Sequence, residues 1–584
     1  MRGGRSRRFT TGDRYRERPW RQGLFCGKLD GTKILLIGIL LILLIAPSSA
    51  APASVDIVVA TVSDLINGDV TTVARLLANP GPDGISLREA IQATDNDPGQ
   101  YMIRFAPALA GATITVEQLP PLTGGGVTIE GDIDGNGKPD VVLRPAARPP
   151  PHVPWGLQIS SSGNILHALT LDDFPTGVMF QPYWPHWLPD PGPFPAGRTY
   201  SDNVVTDLVL RGGVGTSGIG FDSVQSLDCN PSTSPCSTHN RWTTTTVAGN
   251  TIETGQFGIV VSLNAAIADR IEGLALTDNT IRLGTGATPA EGGTAIMLAS
   301  GGNSTQTRIS DVVIARNSIE GVNGDGGIFV AAGLQRAQAN TIEHVQILDN
   351  RVRVVRQPPA ACCFAIVVEA GQDTWAVNVR PVNYPSRNVL RDIRVTGNSV
   401  SGSLAAGVKL GAGMDAGGSE NRIENVRIER NVIHSTMMGK GVYLWAGDIL
   451  PFEGTYARRN RITGVMVVAN RITTGRGKPL AGETSRRSAG GIVLLAGWHY
   501  GRGGVVTNVR ITRNRIATAY AGVRLIGGIG PTARGNRVSC VRLARNRITG
   551  TRASVSVKPN LEERKGEGPT PGTASGNRAS LGGC

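Results

Sequence analysis

The stretch NRIENVRIERN, residues 421–431, places two asparagines ten residues apart, with branched apolar residues at fixed positions between them. Ile423, Val426 and Ile428 are separated by polar residues, and the alternation in VRI indicates a β-strand. The same grid recurs along the chain: a turn residue, apolar residues at +2, +5 and +7, and usually Asn at +10. It begins at Asn164, Asn203, Asn240, Asp269, Thr307, Asn340, Asn388, Asn421, Asn460, Gly504 and Asn536.

The repeats begin 29 to 48 residues apart, and repetition at such a period indicates a solenoid. A second short strand follows each closing Asn, as in RNRI and RNVI. A third alternating segment ends in Gly, as in GIFVAAG and GVKLGAG. Three short strands per repeat, joined by variable loops, predict an all-β fold, a parallel β-helix of about eleven or more coils.

The asparagines are interpreted as structural. Successive coils of such a fold stack about 4.8 Å apart, so equivalent Asn amides can form hydrogen bonds from coil to coil. Asn also tolerates left-handed backbone angles, which we expect at the corner that it occupies. The branched residues point inward and stack on their own kind.

The N-terminus predicts a secretory signal peptide. Residues 1–33 hold ten Lys/Arg and three Asp/Glu, so they supply +7 of the formal charge of +14. The apolar run ILLIGILLILLIA, 34–46, has 13 residues, which is too short for a comfortable membrane span. Small residues follow it, and cleavage is predicted before Ala51. The mature chain is therefore expected to be secreted or held at the cell surface, with an uncleaved signal anchor as the alternative.

Six cysteines remain after this leader, an even number that permits disulfide bonds in a secreted protein. Cys229 and Cys236 flank a short loop, and Cys540 and Cys584 could staple the C-terminus. The sequence leaves the pairing open.

A short helix is predicted to cover the open N-terminal end of the solenoid. In GISLREAI, 84–91, Ser86 followed by Glu89 forms the pattern of a capping box, which opens a helix. Leu87 and Ile91 give that helix an apolar side. A solenoid must cover its open ends, and this side could lie across the first coil.

These N-terminal segments also carry a resemblance. DGISLREAI, IRF, TITV and LPPLTGGGVTIEGDIDGNGKPDVVL resemble the N-terminal region of secreted bacterial CSLREA-domain proteins, with Ile85 where that family has Cys. Right-handed parallel β-helix repeats of the pectate-lyase-like superfamily follow in those proteins. The resemblance covers residues 55–145 by motif and the remainder by repeat pattern. It implies a right-handed β-helix and a secreted setting but no defined reaction, because this superfamily hosts several activities.

The domain organisation follows from these patterns. We predict a leader with signal peptide at 1–50, a capping region with the first coils at 51–146, and β-helix repeats at 201–550. A Pro- and aromatic-rich stretch at 147–200 is interpreted as an insertion, either a lid, a sugar-stacking arm or a packing loop. The polar, Gly-rich segment 551–584 is predicted to be a flexible tail.

The outward residues of the third strand form two predicted columns. One contains Val260, Met297, Phe329, Val367, Lys409, Tyr443, Val493 and Arg524. The other contains Ser262, Ala299, Ala331, Glu369, Gly411, Trp445, Leu495 and Ile526. An outward face this apolar is expected to be covered by loops or by a ligand.

Candidate catalytic residues lie in the turns after this strand. The predicted set is Asp373, Asp415, Asp448, His499 and Lys409. Neighbouring carboxylates on stacked coils would lie about 5 Å apart, near the separation used by retaining glycosidases or by a shared calcium ion. The resemblance points to the same face. The alternative is that these Asp side chains only accept hydrogen bonds from nearby backbone. Candidate ligand-binding residues on this face are Glu369, Tyr443, Trp445, Trp498 and Arg524.

The segment DIDGNGKPD, 132–140, resembles a calcium-binding loop. Asp132, Asp134, Asn136 and Asp140 offer oxygen ligands at alternating positions, although Leu143 stands where such a loop has Glu. A structural Ca²⁺ site or a polar turn is predicted, and no other cofactor.

Arginines follow many corner asparagines: Arg351, Arg422, Arg461, Arg471, Arg515, Arg537 and Arg547. Stacked like charges repel unless acids or an anionic partner relieve them, or unless water solvates them in open turns. The partner expected outside a cell is a polysaccharide, anionic or neutral, rather than nucleic acid, and the chain is expected to be a monomer.

Three functions remain open from the sequence. The first is an extracellular carbohydrate-interacting protein without catalysis, and the second is a polysaccharide lyase or glycoside hydrolase acting on the third-strand face. The third is a purely structural surface rod.

Overall fold

The structure is a computed structural model, and it describes eighteen segments of the chain. They are 54–146, 155–183, 194–212, 217–223, 236–284, 293–322, 327–355, 364–372, 385–402, 404–414, 418–435, 439–447, 457–475, 489–498, 501–530, 532–551, 553–561 and 578–581. The chain divides into two compact units, Met1–Ala53 and Ser54–Cys584, and the predicted leader in the first lies outside the described residues. Over the described segments, no helix has the length and apolar character to cross a bilayer.

Two α-helices precede the regular coils, α1 (Val73–Ala78) and α2 (Leu87–Asn96), with a 3₁₀ turn at Pro107–Leu109. The predicted capping box is present in α2: the hydroxyl of Ser86 accepts the Glu89 N–H, and Glu89 Oε2 accepts the Ser86 N–H. Glu89 Oε1 also accepts the N–H groups of Asn67 and Gly68, both at 2.7 Å. This fully buried carboxylate therefore ties the helix to the loop before α1, while the apolar face of α2 joins the core of the first coils.

The described strands build a right-handed parallel β-helix, as predicted, with three sheets that run along it. Sheet A consists of Val55–Val59, Tyr101–Phe105, Val127–Glu130, Ile165–His167, Thr199–Ser201, Val204–Thr206, Arg241–Thr243, Thr246–Ala248, Arg270–Glu272, Ala275–Thr277, Arg308–Ala315, Thr341–Leu348, Val389–Thr396, Arg422–Glu429, Arg461–Val468, Val505–Thr512, Arg537–Ala544 and Arg578–Leu581. Sheet B consists of Thr113–Val116, Val142–Pro145, Thr170–Asp172, Val209–Arg211, Thr251–Thr254, Thr280–Leu283, Ser318–Val322, Arg351–Val355, Ser399–Gly402, Val432–Ser435, Arg471–Thr474, Arg515–Ala517 and Arg547–Thr549. Sheet C consists of Trp155–Ile159, Thr176–Phe180, Ser217–Asp222, Phe257–Ser262, Thr294–Gly302, Ile328–Leu334, Phe364–Gln372, Ala406–Met414, Lys440–Ala446, Gly490–Leu495, Ala521–Ile529 and Ala553–Leu561. Ser237–Thr238 and Ala266–Ile267 form a small additional pair.

The core runs through the middle of these sheets. In each coil, every sheet contributes one or more branched side chains that point into the core. Examples are Ile423 in sheet A, Ile433 in sheet B and Leu444 in sheet C, which are all buried. They belong to one continuous apolar cluster that extends from Ile57 to Val541. Burying each such side chain contributes about 1.5–3 kcal/mol, which explains why the period-two pattern is maintained over so many repeats.

A ladder of nine asparagines, all buried except the partly exposed Asn546, connects the ends of the sheet A strands. They are Asn250, Asn279, Asn317, Asn350, Asn398, Asn431, Asn470, Asn514 and Asn546. At every step, the Oδ1 atom of one Asn accepts both the backbone N–H and the Nδ2–H of its equivalent in the preceding coil, at 2.9–3.1 Å. A shorter ladder from Asn340 to Asn460 follows the same scheme at the start of the sheet A strands. The predicted hydrogen bonding between coils is confirmed.

The left-handed backbone angles, in contrast, lie on the residues before these asparagines. Arg430 has a φ of 54° immediately before Asn431, and Ala469 has a φ of 56° immediately before Asn470. The prediction that the ladder Asn itself adopts the left-handed conformation is therefore wrong. The Asn amide lies inside, where it bonds along the stack, and the turn is made by the preceding, more exposed residue.

Two of the predicted repeat starts occupy a different column. Asn164 and Asn203 precede strands that align with Thr246–Ala248, so their equivalent in the next coil is Thr245, five residues after Asn240. The shift is five residues, which is also the distance from the apolar position +2 to the apolar position +7 of the grid. The sequence pattern is therefore compatible with both registers. The backbone N–H that Asn240 Oδ1 accepts, at 2.9 Å, is that of Arg198.

The structure also differs from two predicted boundaries. The stretch 147–200, predicted as an insertion, contains strands of all three sheets between residues 155 and 183, while 147–154 and 184–193 lie outside the described residues. The predicted flexible tail 551–584 contains Ala553–Leu561, which pairs with Ala521–Ile529. The reason is visible in ASVSV, where the apolar alternation continues past the last Asn grid.

Asp269 stands where neighbouring coils have Asn or Thr, and it makes stability depend on pH. Its Oδ1 accepts the Asn240 N–H at 2.8 Å, and the Ser237 hydroxyl contacts Oδ2. Burial raises the pKa of Asp269 to about 6, although both hydrogen bonds oppose the shift. The pKa of Asp269 is higher in the folded than in the unfolded chain, so the protonated side chain contributes favourably to the free energy of unfolding. This contribution is complete below about pH 4 and is lost as the pH rises through about 6.

We expect Asp269→Asn to raise the free energy of unfolding by up to about 3 kcal/mol at about pH 8 and to change it little at about pH 4. The measurement is urea unfolding followed by circular dichroism at both pH values. Asp278→Asn is the control, because the guanidinium of Arg316 lowers the pKa of that exposed carboxyl and the pH dependence should then have the opposite sign. Equal gains for Asp269→Asn at both pH values would contradict the assignment.

Candidate functional site

The predicted columns on sheet C are confirmed in register. Val367, Lys409 and Tyr443 are direct neighbours on successive coils, and so are Glu369, Gly411 and Trp445. The remaining members pair in the same way along the sheet. Most of this face is buried, however, although Val260, Met297 and Arg524 are partly exposed, and most of its apolar members belong to two clusters that form a second apolar layer outside sheet C. It is therefore not an open platform for a ligand.

Lys409 and Glu369 form an ion pair inside this layer. The Lys409 Nζ atom lies 2.5 Å from Glu369 Oε1, and the two side chains are only 7% and 0% exposed. The ammonium group also lies 4.5 Å from the centre of the Phe364 ring and 5.6 Å from that of Trp445. Two opposite charges that compensate each other away from water are suited to holding the layer together. The catalytic role of Lys409 and the ligand role of Glu369 stay predictions.

The aromatic candidates pack on one another. The Tyr443 and Trp445 ring centres lie 5.2 Å apart, and those of Trp445 and Trp498 lie 5.0 Å apart. Tyr443 and Trp445 are buried, and Lys440 places its ammonium group 4.9 Å from the centre of the Tyr443 ring. The faces of Tyr443 and Trp445 are thus used within the protein, while Trp498 at the edge stays partly exposed.

Arg524, the last charged candidate, lies between Val493 and Ser556 in its column. It is half-buried, and burial lowers the pKa of its guanidinium. The other candidate catalytic residues, Asp373, Asp415, Asp448 and His499, lie outside the described residues. Their convergence therefore stays a prediction.

A groove that the sequence analysis missed lies between sheets C and A in the first coils. Its volume is about 700 Å³, and we call it the N-terminal groove. The side chains that line it include Gln100, Thr123, Ser161, Tyr183, Arg198 and Tyr200. They offer hydroxyl, amide and guanidinium groups together with two tyrosine rings. The three serines of 160–162 and the glycines of 124–126 form two of its edges.

The glycine edge of the groove is fixed by α2. Asp95 Oδ1 accepts the N–H groups of Thr123 and Gly124 at 2.7 and 2.8 Å, and burial raises the pKa of this carboxyl. Gly126 has a φ of 69°, and a Cβ atom there would lie 2.3 Å from the Gly99 carbonyl oxygen. Only glycine fits such a close approach. The turn is therefore pre-formed, and the run TGGG was the signal that could have indicated it.

The two tyrosines differ in environment. Tyr200 is buried and stacks on Trp242, with ring centres 5.4 Å apart, and burial raises its pKa to about 12. Tyr183 is partly exposed, and its pKa is raised by burial and by the charge of Asp95. Tyr200 thus supports the wall, while Tyr183 and the exposed Arg198 can reach a ligand. No carboxylic acid belongs to the described residues that line the groove, so these residues lack a carboxylate pair for acid–base chemistry.

The predicted calcium ligands are partly brought together. Carboxylate oxygens of Asp132, Asp134 and Asp140 lie within 4.8 Å of one another. Asp132 also accepts three loop N–H groups, including that of Gly137 at 2.7 Å, and these bonds lower its pKa. Asn136 donates its Nδ2–H to Asp134 instead of turning its oxygen toward the cluster. The carboxylates suit a hard cation, but the loop amides already satisfy several of their oxygens.

Cys236 and Cys540 are both disulfide-bonded. Cys229, Cys362, Cys363 and Cys584 lie outside the described residues, and the pairing stays open, as it does from the sequence.

No protein-family model matches the chain, and no curated relative matches it. Among solved structures, the A-module of a mannuronan C-5 epimerase from Azotobacter vinelandii is 11% identical, with 85% of this chain and 96% of that chain covered and a TM-score of 0.29. An endo-xylogalacturonan hydrolase from Aspergillus tubingensis is 11% identical, with 78% and 95% covered and a TM-score of 0.31. A mutant tailspike protein of E. coli bacteriophage HK620, in complex with a pentasaccharide, is 14% identical, with 82% and 62% covered and a TM-score of 0.27.

Proposed function

We propose that this chain is an extracellular β-helix protein that binds a polysaccharide in the N-terminal groove without cleaving it. The observation that carries the proposal is the lining of that groove. Its described side chains supply hydroxyl, amide and guanidinium groups beside a partly exposed tyrosine. Sugars present hydroxyl groups at their edges and C–H groups on their faces, and such a mixed wall matches both.

The proposal that the protein does not cleave its ligand rests on two features of the described residues. The groove lining contains no Asp or Glu, and glycosidases need a pair of carboxyl groups. On sheet C, the Lys409 ammonium is held by Glu369 and covered. The alternative, a lyase or hydrolase on the third-strand face, depends on Asp373, Asp415, Asp448 and His499. The second alternative, a purely structural rod, would need no groove with exposed ligand-facing groups.

The extracellular setting is part of the proposal. Disulfide-bonded Cys236 and Cys540 favour an oxidising compartment, and the leader at 1–50 has the pattern of a signal peptide. The resemblance of 55–145 to CSLREA-domain proteins points to the same setting. The capping box of α2 fits that resemblance, because the Ser86–Glu89 pair is the part of the motif that builds the helix start.

We expect Arg198→Ala to weaken glycan binding about tenfold, because a hydrogen bond to a charged group contributes about 1.5–3 kcal/mol. The measurement is affinity electrophoresis of the full chain in gels that contain neutral or acidic glycans. Arg211→Ala is the matched control, since Arg211 is an exposed arginine at the end of a sheet B strand, away from the groove. If both variants are retarded equally in every glycan gel tested, the groove is not the binding site.

A structural Ca²⁺ held by Asp132, Asp134 and Asp140 is also proposed. The ion would hold the loop between sheets A and B in the second regular coil. We expect chelation to lower the melting temperature of the wild type by about 2 °C, which corresponds to about 2 kcal/mol in a chain of this size, and to leave Asp132→Asn unchanged. Asp311→Asn, another exposed aspartate, is the control. A melting temperature that does not respond to chelator or added Ca²⁺ would show that the loop is only a polar turn.

A further inference from the structure

The C-terminal coils carry a one-sided charge. Residues 457–561 contain twenty Lys/Arg and a single acidic residue, Glu483. Seven of these arginines lie where sheet A ends and sheet B begins, and we call them the arginine flank. They are Arg471, Arg510, Arg513, Arg515, Arg542, Arg545 and Arg547, and all are exposed.

The register of the coils stacks these arginines on one another. Arg510 is the direct partner of Arg542 in sheet A, and Arg515 is the partner of both Arg471 and Arg547 in sheet B. Arg513 and Arg545 occupy the same left-handed corner in successive coils, with φ values of 59° and 55°. Neighbouring coils are about 4.8 Å apart, so like charges face each other at a distance where they repel.

In earlier coils, acidic residues compensate the charge of outward arginines. Arg282 pairs with Glu253 at 2.9 Å, Arg316 with Asp278 at 2.6 Å, and Arg353 with Glu320 at 3.0 Å, each time between adjacent coils. Among the described residues, no carboxylate lies within 4.0 Å of any arginine of the flank. The flank therefore keeps its positive charge uncompensated within this part of the protein.

Such a row suits a linear polyanion that runs along the β-helix. Guanidinium groups bind carboxylates and sulfates through paired hydrogen bonds, and rows repeated at the coil spacing match a polymer with one acidic group per sugar ring. Nucleic acid fits less well, because the described part of the flank offers no aromatic side chain on which a base could stack.

We propose that the arginine flank binds a linear acidic polysaccharide at a site separate from the N-terminal groove. The ligand class deepens the proposed function, but the residues involved are different. Loss of groove binding alone would thus leave this proposal standing, and loss of flank binding alone would leave the groove.

The test measures binding of the full chain by fluorescence anisotropy to four labelled probes: polygalacturonate, dextran sulfate, neutral dextran and single-stranded oligo(dT). The variant is Arg510→Gln, Arg513→Gln and Arg515→Gln combined. The matched control is Arg282→Gln, Arg316→Gln and Arg353→Gln combined, which removes the same charge from exposed arginines that have acidic partners. Thermal melts check that both proteins are folded.

We expect the flank variant to bind polygalacturonate about tenfold more weakly than the wild type and with a shallower salt dependence, while the control changes about twofold or less. Tighter binding to dextran sulfate than to polygalacturonate, lost in the same variant, would support the site and identify sulfate as its preferred group. The proposal is overturned if the variant binds both acidic glycans as the wild type does, or if oligo(dT) binds more tightly than either.

Discussion

Replacing Asn431 with leucine is expected to lower the free energy of unfolding by about 4 kcal/mol or more, because up to four buried polar groups lose their partners. Asn431 Oδ1 accepts the N–H and the Nδ2–H of Asn398, and Asn431 Nδ2 donates to Asn470 Oδ1 and to the Val395 carbonyl. Leucine has a similar volume but offers none of these groups. The effect should be visible as a lower urea midpoint for the full chain.

Asn425→Gly is the matched control for the ladder. Asn425 lies in the sheet A strand that precedes Asn431, is exposed, and has a φ of 56°, a conformation that glycine adopts without strain. The next coil has Gly464 at the equivalent position. We expect a change of about 0.5 kcal/mol or less, as for exposed positions in general. If the two variants unfold at the same urea concentration, the ladder does not stabilise the fold as described.

Replacing Lys409 with methionine is expected to lower the free energy of unfolding by about 3–5 kcal/mol, because it leaves the Glu369 carboxylate buried without its cation. The Lys409–Glu369 distance is 2.5 Å, and both side chains are covered. A catalytic lysine would behave differently, since its loss would reduce turnover and leave stability nearly unchanged. The measurement is again the urea midpoint, followed by circular dichroism.

The double variant Lys409→Met with Glu369→Leu separates ion pairing from packing. Removing both charges removes the desolvated carboxylate, so we expect the double variant to recover most of the stability lost by Lys409→Met. Gln372→Leu, a nearby buried polar residue on the same strand as Glu369, serves as the control for adding an apolar side chain. A double variant that is less stable than Lys409→Met alone would contradict the assignment of a compensated pair.

The stacking of residues could be read from the sequence because each level repeats the same physical constraint. The period-two alternation and the terminal glycines were sufficient to align Lys409 with Tyr443 and Glu369 with Gly411. The register of Asn164 and Asn203 could not be read, because two alignments satisfy the same apolar spacing. Sequence periodicity defines which residues face inward, but it does not define which corner an isolated Asn occupies.

The sites were harder to predict, for reasons of geometry. The N-terminal groove is assembled from segments around Gln100, Gly124, Ser161 and Arg198, which are distant in sequence and meet only after the coils are stacked. The burial of the outward face of sheet C could not be predicted either, since an apolar outward column is compatible with covering loops and with a bound ligand. Three arginines of the flank, Arg471, Arg515 and Arg547, were predicted from the sequence as part of a stack. The register was needed to add the other four and to show which arginines lack a carboxylate in the next coil.

The most direct test of polysaccharide binding without cleavage is the chain length of a glycan recovered from the protein. Full chain is incubated with polygalacturonate or a neutral glucan, complexes are captured, and the released polymer is sized by gel filtration. We expect captured polymer of unchanged length, and less of it with Arg198→Ala. Shortened polymer, or polymer that is not captured at all by the wild type, would contradict the proposed function.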